Sequence, residues 1–144
     1  MDGRPRRGAD SSPMEAHLES VQPVLMVRDV PAAIRFYVRL GFELVSQNDP
    51  DRPRFAGLRR DGVSLYLQWH HPREWKPERH RPAYRFAVDD VDALHAQFAA
   101  TGGLADATSV LATAWDTREF HLHDPDGNEL QFYRAADSPA TIEG

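Results

Sequence analysis

Residues 27–41, VRDVPAAIRFYVRLG, and residues 88–102, VDDVDALHAQFAATG, are two copies of one pattern set 61 positions apart. Each begins where an extended apolar run ends at an aspartate, Asp29 or Asp90, whose carboxylate can accept hydrogen bonds from the free N–H groups of a first helical turn. Pro31 falls early enough in that turn for its missing N–H to cost nothing. Val30, Ala33, Tyr37 and Leu40 then recur at helical spacing, as do Val91, Leu94 and Phe98, while Arg35, Arg39, Asp92 and Ala96 fall off those stripes. Gly41 and Gly102-Gly103 are helix stops. Each copy therefore reads as a strand followed by an amphipathic helix.

A second correspondence, at a shift of 65, superposes Asp61-Gly62 on Asp126-Gly127, Leu65 on Leu130 and Leu67 on Phe132. Asp-Gly tolerates the positive φ of a tight hairpin. Segments 54–60 and 118–123 are then outgoing strands, 63–69 and 128–134 the returning ones, and Glu43 to Gln47 a further extended piece. The spacing predicts an α+β fold made of tandem βαβββ modules. Residues 70–82, with three prolines and the His70-His71 pair, separate the halves. The expected organisation is a disordered tail at 1–19, one domain at 20–136 (module one 20–70, linker 71–82, module two 83–136) and a tail at 137–144.

A chain of 144 residues supports one core. Its 22 acidic against 17 basic side chains give a formal charge of -5, which disfavours a nucleic-acid partner and favours cationic ligands. No cysteine is present, so disulfides, thiolate metal sites and cysteine nucleophiles are excluded and only His, Asp and Glu remain as strong metal ligands. The first 20 residues contain Arg4, Arg6 and Arg7 but no apolar run fit for a signal peptide or a membrane span. A cytoplasmic protein without membrane partners is expected.

Further motifs carry a resemblance. Pro23-Val24-Leu25, Arg28-Asp29-Val30, Phe36, Leu40-Gly41-Phe42, Phe55-Ala56-Gly57, Arg60-Asp61, Trp115, Arg118-Glu119-Phe120, Asp124-Pro125 and Gly127-Asn128 resemble, in order, the motifs of the vicinal oxygen chelate superfamily. This superfamily includes glyoxalase I, extradiol dioxygenases, fosfomycin-modifying enzymes and bleomycin resistance proteins, and the resemblance is nearest to the last. It spans roughly residues 20 to 135. It implies a half-open barrel with helices outside and a concave site inside. It also implies a homodimer whose ligand lies in a groove at the subunit interface, and Pro23 resembles the feature that accompanies exchange of the N-terminal strand.

Catalytic members of the superfamily place metal ligands at four pseudo-equivalent strand positions, which the two shifts map onto Gln22, Tyr66, Ala83 and Gln131. Two amides, a phenol and a methyl group are a poor donor set for a transition metal. No metal and no cofactor are expected. A competing reading is a divergent enzyme of glyoxalase, lyase or dioxygenase type with a relocated metal, for which His121 and His123, alternating beside Glu119, would be the source; a ligand-sensing module is a third.

Catalysis without a metal would draw on Ser64, Tyr66, Glu119, His121, Glu129 and Tyr133, and these form no recognisable motif; nor is there a nucleophile elbow or a glycine-rich phosphate loop. What remains is a ligand groove with flat apolar area from Phe55, Tyr66, Trp115 and Tyr133 and hydrogen-bonding groups from Gln22, Gln68, Glu119, His121 and Gln131. Trp69 and Trp75 are further wall candidates. Phe36, Phe86, Phe120 and Phe132 are assigned to the core. The implied function is stoichiometric sequestration of a small molecule, with a cationic glycopeptide antibiotic as one candidate ligand.

Overall fold

The computed structural model describes residues 15–76, 78–79, 81–104 and 107–136. The remaining parts of the tails expected at 1–19 and 137–144 lie outside the described residues; residues 15–19 carry no regular structure and are exposed.

Both aspartates cap their helices. Asp29 accepts from the backbone N–H of Ala32 and Asp90 from that of Ala93, each at 3.0 Å, and α1 (Val30–Arg39) and α2 (Val91–Ala100) follow. Their apolar stripes, Val30, Ala33 and Tyr37 in one and Val91, Leu94 and Phe98 in the other, are buried. Gly41 and Gly102 end them with φ of 91° and 78°, the left-handed conformation in which a side chain would be strained.

The strands of the first half are β1 (Val24–Val27), β2 (Glu43–Gln47), β3 (Phe55–Arg60) and β4 (Val63–Trp69). Those of the second are β5 (Ala83–Ala87), β6 (Leu111–Ala112), β7 (Thr117–His123) and β8 (Glu129–Ala135). They build two four-stranded sheets of identical topology, β1-β4-β3-β2 and β5-β8-β7-β6, in which the first strand runs parallel to the last and every other pair is antiparallel. The duplication extends to the register. Val24 pairs with Tyr66, and Arg85 pairs with Gln131, the same pair displaced by 61 and 65 positions. The architecture is the α+β tandem βαβββ half-open barrel expected from the sequence.

Alternation divides each sheet into two faces. Leu25, Val27, Ala56, Leu58, Leu65 and Leu67 from the first sheet and Phe120, Leu122, Leu130 and Phe132 from the second join the helices in one continuous core. Phe120 and Phe132 stack at 5.2 Å with Phe98 of α2 edge-on to both, while Phe36 and Phe86 lie partly buried against this cluster. The opposite, open faces carry Val24, Met26, Phe55, Tyr66 and Gln68 in module one and Arg85, Glu119, His121, His123, Glu129, Gln131 and Tyr133 in module two.

The two Asp-Gly hairpins differ. In the first, Asp61 itself takes positive φ (54°) between adjoining strands. In the second, Gly127 does (83°), inside a longer 124–128 turn closed by Asp124 N–H donating to the Asn128 carbonyl. The extra residues serve the seam between modules. Arg28 donates its backbone N–H and its Nε–H to Asp126 Oδ1, both at 2.8 Å, and Asn128 Nδ2 donates to the Met26 carbonyl.

Candidate functional site

The nine residues predicted to bind a ligand fall into two groups. On module one, Phe55 stacks on Tyr66 with centroids 5.2 Å apart and planes 19° from parallel, and Gln68 stands opposite Phe55 across the β3–β4 ladder. Gly57 pairs with Tyr66, and a Cβ built there would approach the Tyr66 ring to 3.1 Å and Ser46 Oγ to 2.8 Å, so the ring lies directly against the glycine. Gln22 precedes β1 and is exposed.

On module two, Trp115, Glu119, His121, Gln131 and Tyr133 meet in one network. Trp115 occupies the turn before β7, where Asp116 adopts a φ of 64°. Thr113 ties the turn down, its hydroxyl accepting from the N–H of Trp115 and of Thr117. Trp115 is 63% exposed, yet its indole Nε1–H donates to Glu119 Oε2 at 3.2 Å, which restrains the ring while most of the residue stays open to solvent. Glu119 is the centre. It also accepts from the Thr117 hydroxyl, shares a 2.6 Å contact with His121 Nε2, and receives Arg85 Nη1 and Nη2 at 3.3 Å on its two oxygens.

With only 3% exposure, burial alone would raise the Glu119 pKa, but the hydrogen bonds from Thr117, His121, Arg85 and Trp115 outweigh it and hold the carboxyl at about 2. Glu119 thus lies on the predicted face as an already paired anion and presents almost no surface to solvent.

Arg85 was not among the sequence candidates. Its Nη1 also donates to Gln131 Oε1 at 2.8 Å, and its guanidinium lies 4.1 Å above the Tyr133 ring. The signal was present in the alternation of β5, which puts Arg85 on the face of Ala83, and in the 61-residue shift that superposes it on Val24. Trp69 and Trp75, weighed as wall residues, have their indole N–H groups committed to the backbone carbonyls of Arg28 and Asp126.

The four superfamily metal positions do not form a donor set. Ala83 has no donor atom, Gln22 lies outside the strands, and Gln131 is held by hydrogen bonds to Arg85 and Glu129. Among the described residues no group of three or more His, Asp or Glu side chains is arranged to hold a metal ion. His121 Nε2 is turned to Glu119, while His121 Nδ1 and His123 Nε2 both face Glu129 at 3.5 Å.

Cavities of about 360 and 420 Å³ lie at the junction of the modules, around Phe42, Arg60, Phe86, Gln97 and Phe98, and none of the nine residues lines them. No helix among the described residues is long and apolar enough to cross a membrane.

Residues 16–132 match the family model of the glyoxalase/bleomycin resistance protein/dioxygenase superfamily. A bleomycin resistance protein of Geobacillus stearothermophilus is 29% identical over 132 residues, covering 81% of this chain and 96% of that protein. Among solved structures, a bleomycin-binding protein from bleomycin-producing Streptomyces verticillus, complexed with copper(II)-bleomycin, is 31% identical with a TM-score of 0.66, covering 82% of this chain and 97% of that one. A bleomycin-binding protein complexed with bleomycin superposes with a TM-score of 0.70 at 24% identity, over 81% of this chain and 98% of that one, a likeness of fold.

Proposed function

From the premise that this chain belongs to the glyoxalase/bleomycin resistance protein/dioxygenase superfamily, we propose that it is a metal-free binding protein that sequesters a planar, cationic antibiotic of the bleomycin class in a groove completed by a second copy. The observation that carries this reading is Trp115: a 63% exposed indole, fixed edge-on by its hydrogen bond to Glu119, offers a preset flat face at no further ordering cost. The stacked Phe55–Tyr66 pair offers a second aromatic platform on the other module. Ligands are held by large flat contact area with a few placed polar groups, and Gln68, Gln131 and Tyr133 supply those here.

A dimer fits the same observations. Neither of the two larger cavities is lined by the nine candidate residues, and a second copy laid across the open faces would give them a facing wall. Sequestration requires no chemistry at the site, in keeping with a carboxylate and an imidazole bound to each other instead of poised over a substrate. The reading is tested by calorimetric titration of the purified chain with metal-free bleomycin. One ligand per chain with micromolar or tighter affinity is expected, together with a raised melting temperature. No heat and no shift at saturating ligand would refute it.

A further inference from the structure

The open face of module two carries two carboxylates in different states. Glu119 is 3% exposed and shares both oxygens with Arg85. A guanidinium bound through two nitrogens neutralises it, so an incoming cation would have to displace Arg85 before gaining anything.

Glu129 is open. Its side chain is 26% exposed, it receives Gln131 Nε2 at 2.6 Å, and two imidazole nitrogens, His121 Nδ1 and His123 Nε2, stand 3.5 Å from it. Gln131 is itself oriented by Arg85: because Nη1 donates to Oε1, the amide NH₂ must turn toward Glu129. Arg85 thus quenches one carboxylate and, through Gln131, aims the other.

Resting on the antibiotic-binding reading above, we propose that Glu129 is the residue that selects for positive charge on the ligand, with Arg85 as its positioning residue. Among the described residues, the charged and titratable groups on this face are Arg85 from β5, Glu119, His121 and His123 from β7, and Tyr133 on the strand of Glu129 itself. Since Arg85 is taken up by Glu119, the carboxylate left to meet a cation is that of Glu129.

The test uses the full chain and two probes, metal-free bleomycin with its cationic terminal amine and the same molecule hydrolysed to the tail-less acid. Calorimetry gives the ratio of the two affinities for the wild type, Glu129→Gln and Glu119→Gln, with melting curves to show that each variant is folded. Glu129→Gln is expected to cut the preference for the tailed form by roughly fivefold, the scale of a partly exposed charge pair. In a double-mutant cycle the effect of Glu129→Gln should shrink on an Arg85→Gln background, which a merely structural arginine would not produce. An unchanged preference in Glu129→Gln, or a loss seen only in Glu119→Gln, would overturn the assignment while leaving antibiotic binding intact. A wild type that binds neither probe overturns the binding reading and this assignment with it.

Discussion

The phenol of Tyr37 donates a 2.8 Å hydrogen bond to Oδ2 of Asp124, 87 residues away, and so ties the helix of the first module to the hairpin turn of the second. Both oxygens of Asp124 are fully used. Oδ1 accepts from the N–H groups of Asp126 and Asn128, and Oδ2 accepts from Asn128 Nδ2 as well as from Tyr37. This is a buried carboxylate that works only as an acceptor. Burial pushes its pKa up and the hydrogen bonds pull it back, leaving it above the usual aspartate value.

Replacing Asp124 by asparagine should therefore destabilise the fold, although the side chain keeps its shape. The new NH₂ group must face two donors, and a buried donor without an acceptor costs about 1–3 kcal/mol. A loss of about 3 kcal/mol is expected for Asp124→Asn by chemical denaturation at pH 7, against about 1.5 kcal/mol for Tyr37→Phe, which deletes one donor. Equal losses for the two variants would show that the carboxylate is not the hub of this seam.

Acid should weaken the molecule through Glu119. Its folded-state pKa of about 2 lies below the ordinary 4.5, so its stabilising contribution is complete above the ordinary value and is lost as pH falls toward the folded one. Asp124, raised from 3.8, acts in the opposite sense: its contribution is complete below that value and is lost as pH rises through the higher folded one. Comparing the unfolding free energies of the wild type and Glu119→Gln isolates the first effect. The gap between them should be widest near pH 6 and narrow between about pH 4.5 and pH 2. A gap independent of pH would mean that the ionised carboxylate adds nothing to the network.

The helices were legible because their signals are local. Asp29, Pro31 and Gly41, then Asp90 and Gly102, each act within a few residues of where they stand, and the repeat of that set revealed the duplication. Side-chain parity along the strands likewise placed Glu119, His121, Gln131 and Tyr133 on one face. The state of Glu119 was not legible. It depends on Arg85, which reaches it from another strand, 34 residues away, and alternation tells which face a residue takes but not who meets it there. Asp124 shows the same limit: Asp124-Pro125-Asp126-Gly127 reads as a turn, while its partner Tyr37 reads as helix core. The partners of the Trp69 and Trp75 indole N–H groups were not legible either, because they are backbone carbonyls, which carry no sequence signature.

Trp115 gives the sharpest separation of binding from folding. Since its indole is mostly exposed and makes one hydrogen bond, Trp115→Ala should lower stability little. Removal of a central aromatic anchor typically costs about 2 kcal/mol of binding, roughly a thirtyfold loss of affinity. Trp115→Phe keeps a ring but frees it from Glu119, so an intermediate loss is expected. Calorimetry with metal-free bleomycin, paired with thermal melts, checks both. Binding by Trp115→Ala at wild-type strength would move the groove away from this turn.

The final prediction concerns assembly. Among the described residues, β1 and β2 are the outer strands of one sheet and β5 and β6 those of the other, and an uncapped edge invites a second chain. Apolar side chains are left uncovered near them: Leu44 and Val45 on β2, Leu111 on β6, and above all Leu18 and Val21 in the segment before β1, both almost wholly exposed. Leucine and valine so placed gain free energy only when something covers them, at about 25 cal/mol per Å² of apolar area buried. A second copy would cover them and at the same time close the open faces that carry Trp115 and Tyr66. Light scattering at micromolar concentration should therefore return twice the chain mass of 16.3 kDa. Replacing Leu18 and Val21 together by serine should shift that mass toward the monomer and weaken bleomycin binding in parallel, because the groove needs both copies. A wild-type monomer that binds bleomycin at full strength would show that one chain's open face is sufficient.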